Sequence, residues 1–145
     1  MRRQSGFSLL EVLVAILVLA IGLLGMAGLM ASTMRNNHGA YFRTQAVWLA
    51  YDIADRMRAN RQTALAGGYN VAFNNPACAA NTSPALNPGE DVTGWKNMVA
   101  CALPAGDGSI AVDAASRQVT IIVQWNDTRA SGGVAAQQFQ VQTQL

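Results

Sequence analysis

A single carboxylate, Glu11, stands immediately before Val12 to Met34, 23 residues with no charged side chain. A carboxylate drawn into a bilayer with such a segment costs several kcal/mol, so it asks for a cationic partner. Ahead of it lie Arg2 and Arg3, then Gly6 and Phe7. Other candidates for chemistry are sparse. Cys78 and Cys101 are the two cysteines and His38 the one histidine, with neither a CxxC pair nor a cysteine–histidine cluster. Metal centres and nucleophilic triads need partners that cannot be named here, and no glycine loop of the phosphate-binding kind occurs. The expectation is therefore no enzyme activity, no metal and no cofactor, with His38 an exposed polar residue on a helix.

The element that must position Glu11 is long. A helix from Phe7 to Met30 spans about 36 Å, enough to cross a bilayer. Arg2 and Arg3 precede it, so the positive-inside rule keeps the first residues cytoplasmic and sends everything beyond Met34 across the membrane, out of the cytoplasm. The same two arginines supply the net charge of +2: without the first six residues Lys+Arg falls from 10 to 8, against 8 Asp+Glu. The remaining Arg56, Arg58 and Arg61 interleave with Asp52 and Asp55, which argues against a polyanion groove and against DNA as a partner.

The order Met1-Arg2-Arg3-Gln4-Ser5-Gly6, then Phe7-Ser8-Leu9-Leu10-Glu11-Val12-Leu13-Val14, resembles the prepilin processing motif of type IV pilins and type II secretion pseudopilins. The resemblance implies cleavage between Gly6 and Phe7 by a membrane prepilin peptidase, N-methylation of Phe7 by its methyltransferase activity, and a role for Glu11 in assembly. Cleavage creates an amine on Phe7, and Glu11 can neutralise such an amine on a neighbouring subunit in a low-dielectric bundle. Gly22, Gly25 and Gly28 read in two ways: small residues that let helices approach closely, or a segment able to lose its helical form as in related filaments. The proline that many major pilins carry in that segment is missing.

Beyond Met34 the helical pattern turns amphipathic, with Ala46, Ala50, Ile53 and Met57 on one stripe. Asp52 and Arg56 form an i, i+4 pair on what reads as a solvated face. Asn60, ahead of Gly67-Gly68, marks the stop, giving a helix from Phe7 to Asn60. The segments Asn36 to Ala46 and Ala50 to Asn60 further resemble minor pilins of the PilV type. The implied partners are the major pilin, other minor pilins and, before assembly, the inner membrane.

The predicted organisation is a leader over 1–6, a transmembrane and assembly helix over 7–34, and a periplasmic head over 35–145. The head comprises a helical spine (35–60), a loop and short helix (61–105) and an antiparallel sheet (106–145). Residues 67–90 read as irregular, and a short helix follows with Asp91 as N-cap, running through Trp95 to Ala102. In an oxidising compartment Cys78 and Cys101 are expected to pair. Val119, Ile121, Val123 and Trp125 alternate with Thr120, Ile122 and Gln124, Phe139 and Val141 alternate with glutamines, and Ser109 to Asp113 offers a third strand. Trp48, Trp95 and Trp125 all read as core or spine residues.

The fold class is α+β: a long N-terminal helix packed on a small antiparallel sheet. The function implied is that of a minor pilin that primes pilus assembly and supports twitching motility or adhesion. A type II secretion pseudopilin, or a tip module that binds a surface or DNA, are the alternatives.

Overall fold

A computed structural model describes residues 6–79, 88–130 and 132–145. Residues 1–5 of the expected leader, including Arg2 and Arg3, lie outside the described residues, as do 80–87 of the expected loop. The chain folds as α1 (Leu9–Ala59), α2 (Arg61–Leu65), α3 (Pro88–Ala102), β1 (Asp107–Asp113), β2 (Gln118–Trp125) and β3 (Gln137–Gln144). This is the α+β, pilin-like arrangement expected from the sequence.

Helix α1 has 51 residues, about 77 Å at 1.5 Å per residue. It starts two residues later than Phe7, because Ser8 is extended and its side chain accepts a hydrogen bond from the Leu10 N–H at 3.3 Å, an N-cap. It passes unbroken through Gly22, Gly25 and Gly28, none of which has another group within 4 Å of where a Cβ would sit. Its first half is apolar on every side and touches nothing. It is the one described helix long and apolar enough to cross a membrane.

The second half of α1 changes character because its apolar residues now recur on one side. Ala46, Ala50, Ile53 and Met57 are fully buried and form one core with Tyr69, Trp95, Val99, Val119, Ile121, Val123 and Trp125. The sheet is an antiparallel meander in the order β1-β2-β3. Its inner face carries the alternate residues of β2, and its outer face shows Gln138, Gln140, Gln142 and Gln144 to solvent. The β1–β2 turn is closed by Asp113, which accepts from the Ala115 N–H at 2.9 Å and the Ser116 hydroxyl at 2.6 Å. Helix α3 covers the end of the core. Trp95 from that helix donates its indole N–H to the Leu49 carbonyl at 2.8 Å and lies so close over Gly108 that any Cβ there would enter its ring.

Four expectations need correction. Helix α3 begins at Pro88, so Asp91 is not its N-cap but a first-turn residue, 3% exposed. Proline's fixed φ suits the opening position of a helix, and Asp91 is turned inward by a tertiary partner. That partner is Arg56, which bonds Asp91 as well as Asp52, so the Asp52–Arg56 pair is not a simple solvated face. Residues 88–90 are helical, not part of the irregular segment. Trp48 is 70% exposed and packs on nothing in the head. It lies two residues from Ala46, about 200° around the helix, and so faces away from the buried stripe.

Candidate assembly site

The N-terminal site is built from one turn of helix and the residues before it. Gly6 and Phe7 precede the cap, and Ser8 itself is extended at φ −74°, ψ 142°. The Gly6–Phe7 bond therefore lies outside the helical hydrogen-bond ladder. A would-be Cβ at Gly6 meets nothing within 4 Å. That is the open backbone a peptidase must grip. Ser8 anchors the turn a second time through its carbonyl, which accepts from Glu11 N at 3.1 Å and Val12 N at 3.3 Å.

Glu11 sits in the first turn of α1, where the unpaired N–H groups of the helix favour a negative charge. It shares a shallow apolar groove with Phe7, Val12, Ala15, Ile16 and Leu19. Phe7 is 83% exposed and Leu9 82%. The structure thus places Phe7 and Glu11 on one groove, next to Gly6, while Cys78 and Cys101 lie far away in the head. Glu11 is exposed in the subunit, and once such a groove is covered by apolar neighbours the lower dielectric strengthens its attraction for a cation that enters beside it.

Where α1 enters the head, a feature appears that sequence reasoning missed. Gly39 is buried, and a Cβ there would lie 2.9 Å from the Ala130 Cβ and 3.6 Å from the Asp127 carboxylate. Asp127, 1% exposed, lies 3.9 Å from the Arg43 guanidinium across the same gap. The β2–β3 loop is thereby seated on the helix at the point where the apolar half ends. His38, one residue earlier, is exposed and stacks loosely on Phe42, with ring centroids 6.3 Å apart. Among the described residues no three His, Cys, Asp or Glu side chains gather as a metal site.

Two polar networks brace the head, one on α1 and one between α3 and β1, and of their contacts only the Asp52–Arg56 pair was visible in the sequence. Arg56 reaches Asp91 at 2.5 Å and Asp52 at 3.0 Å, and Asp91 also accepts from the Tyr69 hydroxyl at 3.1 Å. Burial alone would lower the Arg56 pKa, but its bonds to the two carboxylates outweigh that and raise it. Burial together with the nearby Asp91 charge pushes the Tyr69 phenol up. The second network is Lys96–Asp107 at 2.9 Å, with side chains 6% and 1% exposed. Asp107 also accepts from Asn74 N at 2.7 Å and Asn75 N at 2.8 Å, and Lys96 donates to the Ala72 carbonyl at 2.7 Å. Burial would raise the Asp107 pKa, yet the Lys96 ammonium and these N–H groups together hold it below the usual carboxylate range.

Cys78 and Cys101 are joined by a disulfide, with Cα atoms 4.8 Å apart. It ties the segment after Val71 to the last turn of α3. Beside it, Asn97 makes two bonds to the Ala79 backbone, at 2.7 and 3.0 Å.

Residues 1–27 match the family model described as the prokaryotic N-terminal methylation motif. Comparisons with curated proteins and with solved structures find no match. The matched stretch contains Gly6, Phe7, Glu11 and the apolar run as far as residue 27. With the long apolar helix and the pilin-like head, the match supports a type IV pilin-like, membrane-anchored protein processed by a prepilin peptidase.

Proposed function

We propose that the chain is a minor pilin of a type IV pilus, inserted in the inner membrane with its head in the periplasm and drawn into the fibre through α1. The carrying observation is the junction at Gly6 and Phe7: a methylation motif whose scissile bond precedes the N-cap, with Glu11 in the first turn of an apolar helix that the subunit does not bury. In this reading the chain is a substrate and not a catalyst. The peptidase hydrolyses the Gly6–Phe7 amide, the freed amine of Phe7 is methylated, and that cation pairs with Glu11 of a neighbour. The domain limits follow: leader 1–6, anchor 7–34, head 35–145. The likeness of the spine to the PilV type favours a pilus over a secretion system.

Deleting the gene and counting surface pili tests the role. The expected result is few pili and lost twitching motility; normal piliation with impaired protein secretion would instead identify a secretion pseudopilin. Processing is read separately. Gly6→Ala should accumulate as a full-length precursor in the inner membrane, while Glu11→Ala should be cut normally and fail to enter fibres. A wild-type chain that retains Met1 in the membrane would overturn the proposal.

A further inference from the structure

Strand β3 is an edge of the sheet, and its outer side is bare among the described residues. Hydrogen bonding alternates along an antiparallel pair. Leu145 N donates to the Arg117 carbonyl, which fixes the parity: odd-numbered residues of β3 turn their N–H and C=O toward β2, even-numbered ones turn them outward. The other side of the sheet agrees, since Ile110 of β1 exchanges both bonds with Val71, away from β2. The outward backbone groups of Gln138, Gln140, Gln142 and Gln144 have no partner among the described residues.

Exposed strand edges are ordinarily blunted by charge, proline, a bulge or a covering segment. The β1 edge shows this: Val71 pairs with Ile110, and Asn70 accepts from the Val112 N–H at 2.9 Å. The β3 edge shows none of it. Gln137–Gln144 is eight residues without a charge or proline, in unbroken register with β2 over its whole length. We infer that the outer edge of β3 is a docking site for an extended segment of a different polypeptide, added as a fourth strand.

The chemistry of that segment follows from its neighbours. One face would lie beside Gln138, Gln140, Gln142 and Gln144, and the other beside the half-buried Phe139 and Val141. An uncharged strand alternating polar and apolar residues fits both.

A second copy of this chain fits poorly. Strand β3 runs in the same sense as α1: the loop before it meets α1 at Gly39, while Thr143 and Leu145 accept from Arg58 and Arg61. Antiparallel pairing of two β3 edges would point their helices in opposite directions, which two anchors in one membrane cannot do, and parallel pairing would turn one sheet over, leaving the two α1 helices on opposite faces of the joined sheet with their apolar halves apart. Pairing β3 with the next copy's β1 meets the edge that Asn70 and Val71 already hold. This step alone rests on the membrane reading.

The test uses the full chain in its own cells, with the photo-crosslinking residue p-benzoylphenylalanine replacing Gln142. Gln140→Pro removes an outward N–H and no bond to β2, so the fold should be kept; Gln140→Thr restores the N–H. The expected result is one adduct mapping to an extended segment of another protein, reduced at least tenfold by Gln140→Pro and retained by Gln140→Thr. An absent adduct, one indifferent to proline, or one formed with a second copy overturns the inference. Hydrogen exchange provides a readout that needs no variant: the Gln138, Gln140 and Gln142 amides should exchange fast in detergent-solubilised chain and slow at least tenfold where the adduct forms. Equal exchange in both states would also refute it. The N-terminal mass of the same sample reports cleavage, so a correctly cut chain without an adduct refutes the edge and leaves the assembly proposal standing.

Discussion

Replacing both Cys78 and Cys101 by serine isolates the contribution of one cross-link, since both positions are exposed and serine is nearly isosteric. The half-cystines are 23 residues apart. The chain-entropy relation assigns closure of a loop of that length about 3.4 kcal/mol at 25 °C. For a head of roughly 110 residues a kcal/mol corresponds to about 4 °C, so the midpoint should fall by about 14 °C. Near-ultraviolet signal from the buried Trp95 and Trp125 reports the transition in detergent-solubilised full chain. Reduced wild type should melt with the double variant. The two Asn97 bonds to Ala79 remain in the reduced chain and keep the tethered segment docked until the core opens, so the transition should stay single. A fall below about 3 °C would show that the cross-link does not restrain the unfolded chain, and the entropic reasoning would be wrong.

The buried ion pair, the close glycine contact and two of the tryptophans give further expected outcomes. Lys96→Met leaves Asp107 ionised and 1% exposed without its ammonium, and should cost about 3 to 5 kcal/mol in denaturant unfolding, with the Val71 to Asn75 segment becoming protease-sensitive. The folded-state pKa of Asp107 is depressed, so its contribution is complete above the unfolded value near 3.8 and is lost as pH falls through the lower folded value. Midpoints measured from pH 6 down to pH 2 should fall in the acid range for wild type, and less steeply for Asp107→Asn. Gly39→Val should destabilise by about 1 to 3 kcal/mol, because Ala130 already lies 2.9 Å from the new Cβ; the same change at Gly25, where nothing lies within 4 Å, should leave the head's midpoint unmoved. Trp95→Ala should cost about 3 to 5 kcal/mol, and Trp48→Ala less than about 0.5, as judged by unfolding of each variant.

Local signals in the sequence were read correctly where the deciding partner is near in the chain. The period-two runs at Val119 to Trp125 and Phe139 to Val141 are strands because alternation is a property of the strand itself. The stripe of Ala46, Ala50, Ile53 and Met57 is buried for the same kind of reason. Asp91 and Lys96 were opaque because what buries them lies elsewhere: Arg56 is 35 residues away from Asp91, and Asp107 meets Lys96 only once β1 docks on α3. Trp48 is a different case. Its core or spine position was read from periodicity, yet 100° per residue places it about 200° from Ala46, opposite the buried stripe. In the assembly site, the motif residues were legible in full, whereas the seat of Asp127 and Ala130 on Gly39 depends on a loop 88 residues further along, too distant for any spacing rule.

The two halves of α1 explain why so much would turn on Glu11. From Phe7 to Met34 the large apolar side chains are between 48% and 83% exposed in the subunit, so burial worth on the order of tens of kcal/mol is left to its surroundings. Lipid satisfies that demand as well as a bundle of similar helices does, which means apolar contact gives almost no preference for assembly over the membrane. The preference must come from groups that lipid serves badly. Under the proposed function the carboxylate of Glu11 and the amine that cleavage would release at Phe7 are such groups, and each would be satisfied by its counterpart on another chain. The buried stripe from Ala46 to Met57 then makes the head follow the helix as a rigid attachment. A variant with an intact head and Glu11→Gln should therefore fold, be cut and remain in the membrane. Fibre incorporation at wild-type level by that variant would show that the helix surface, and not the charge pair, selects the assembled state.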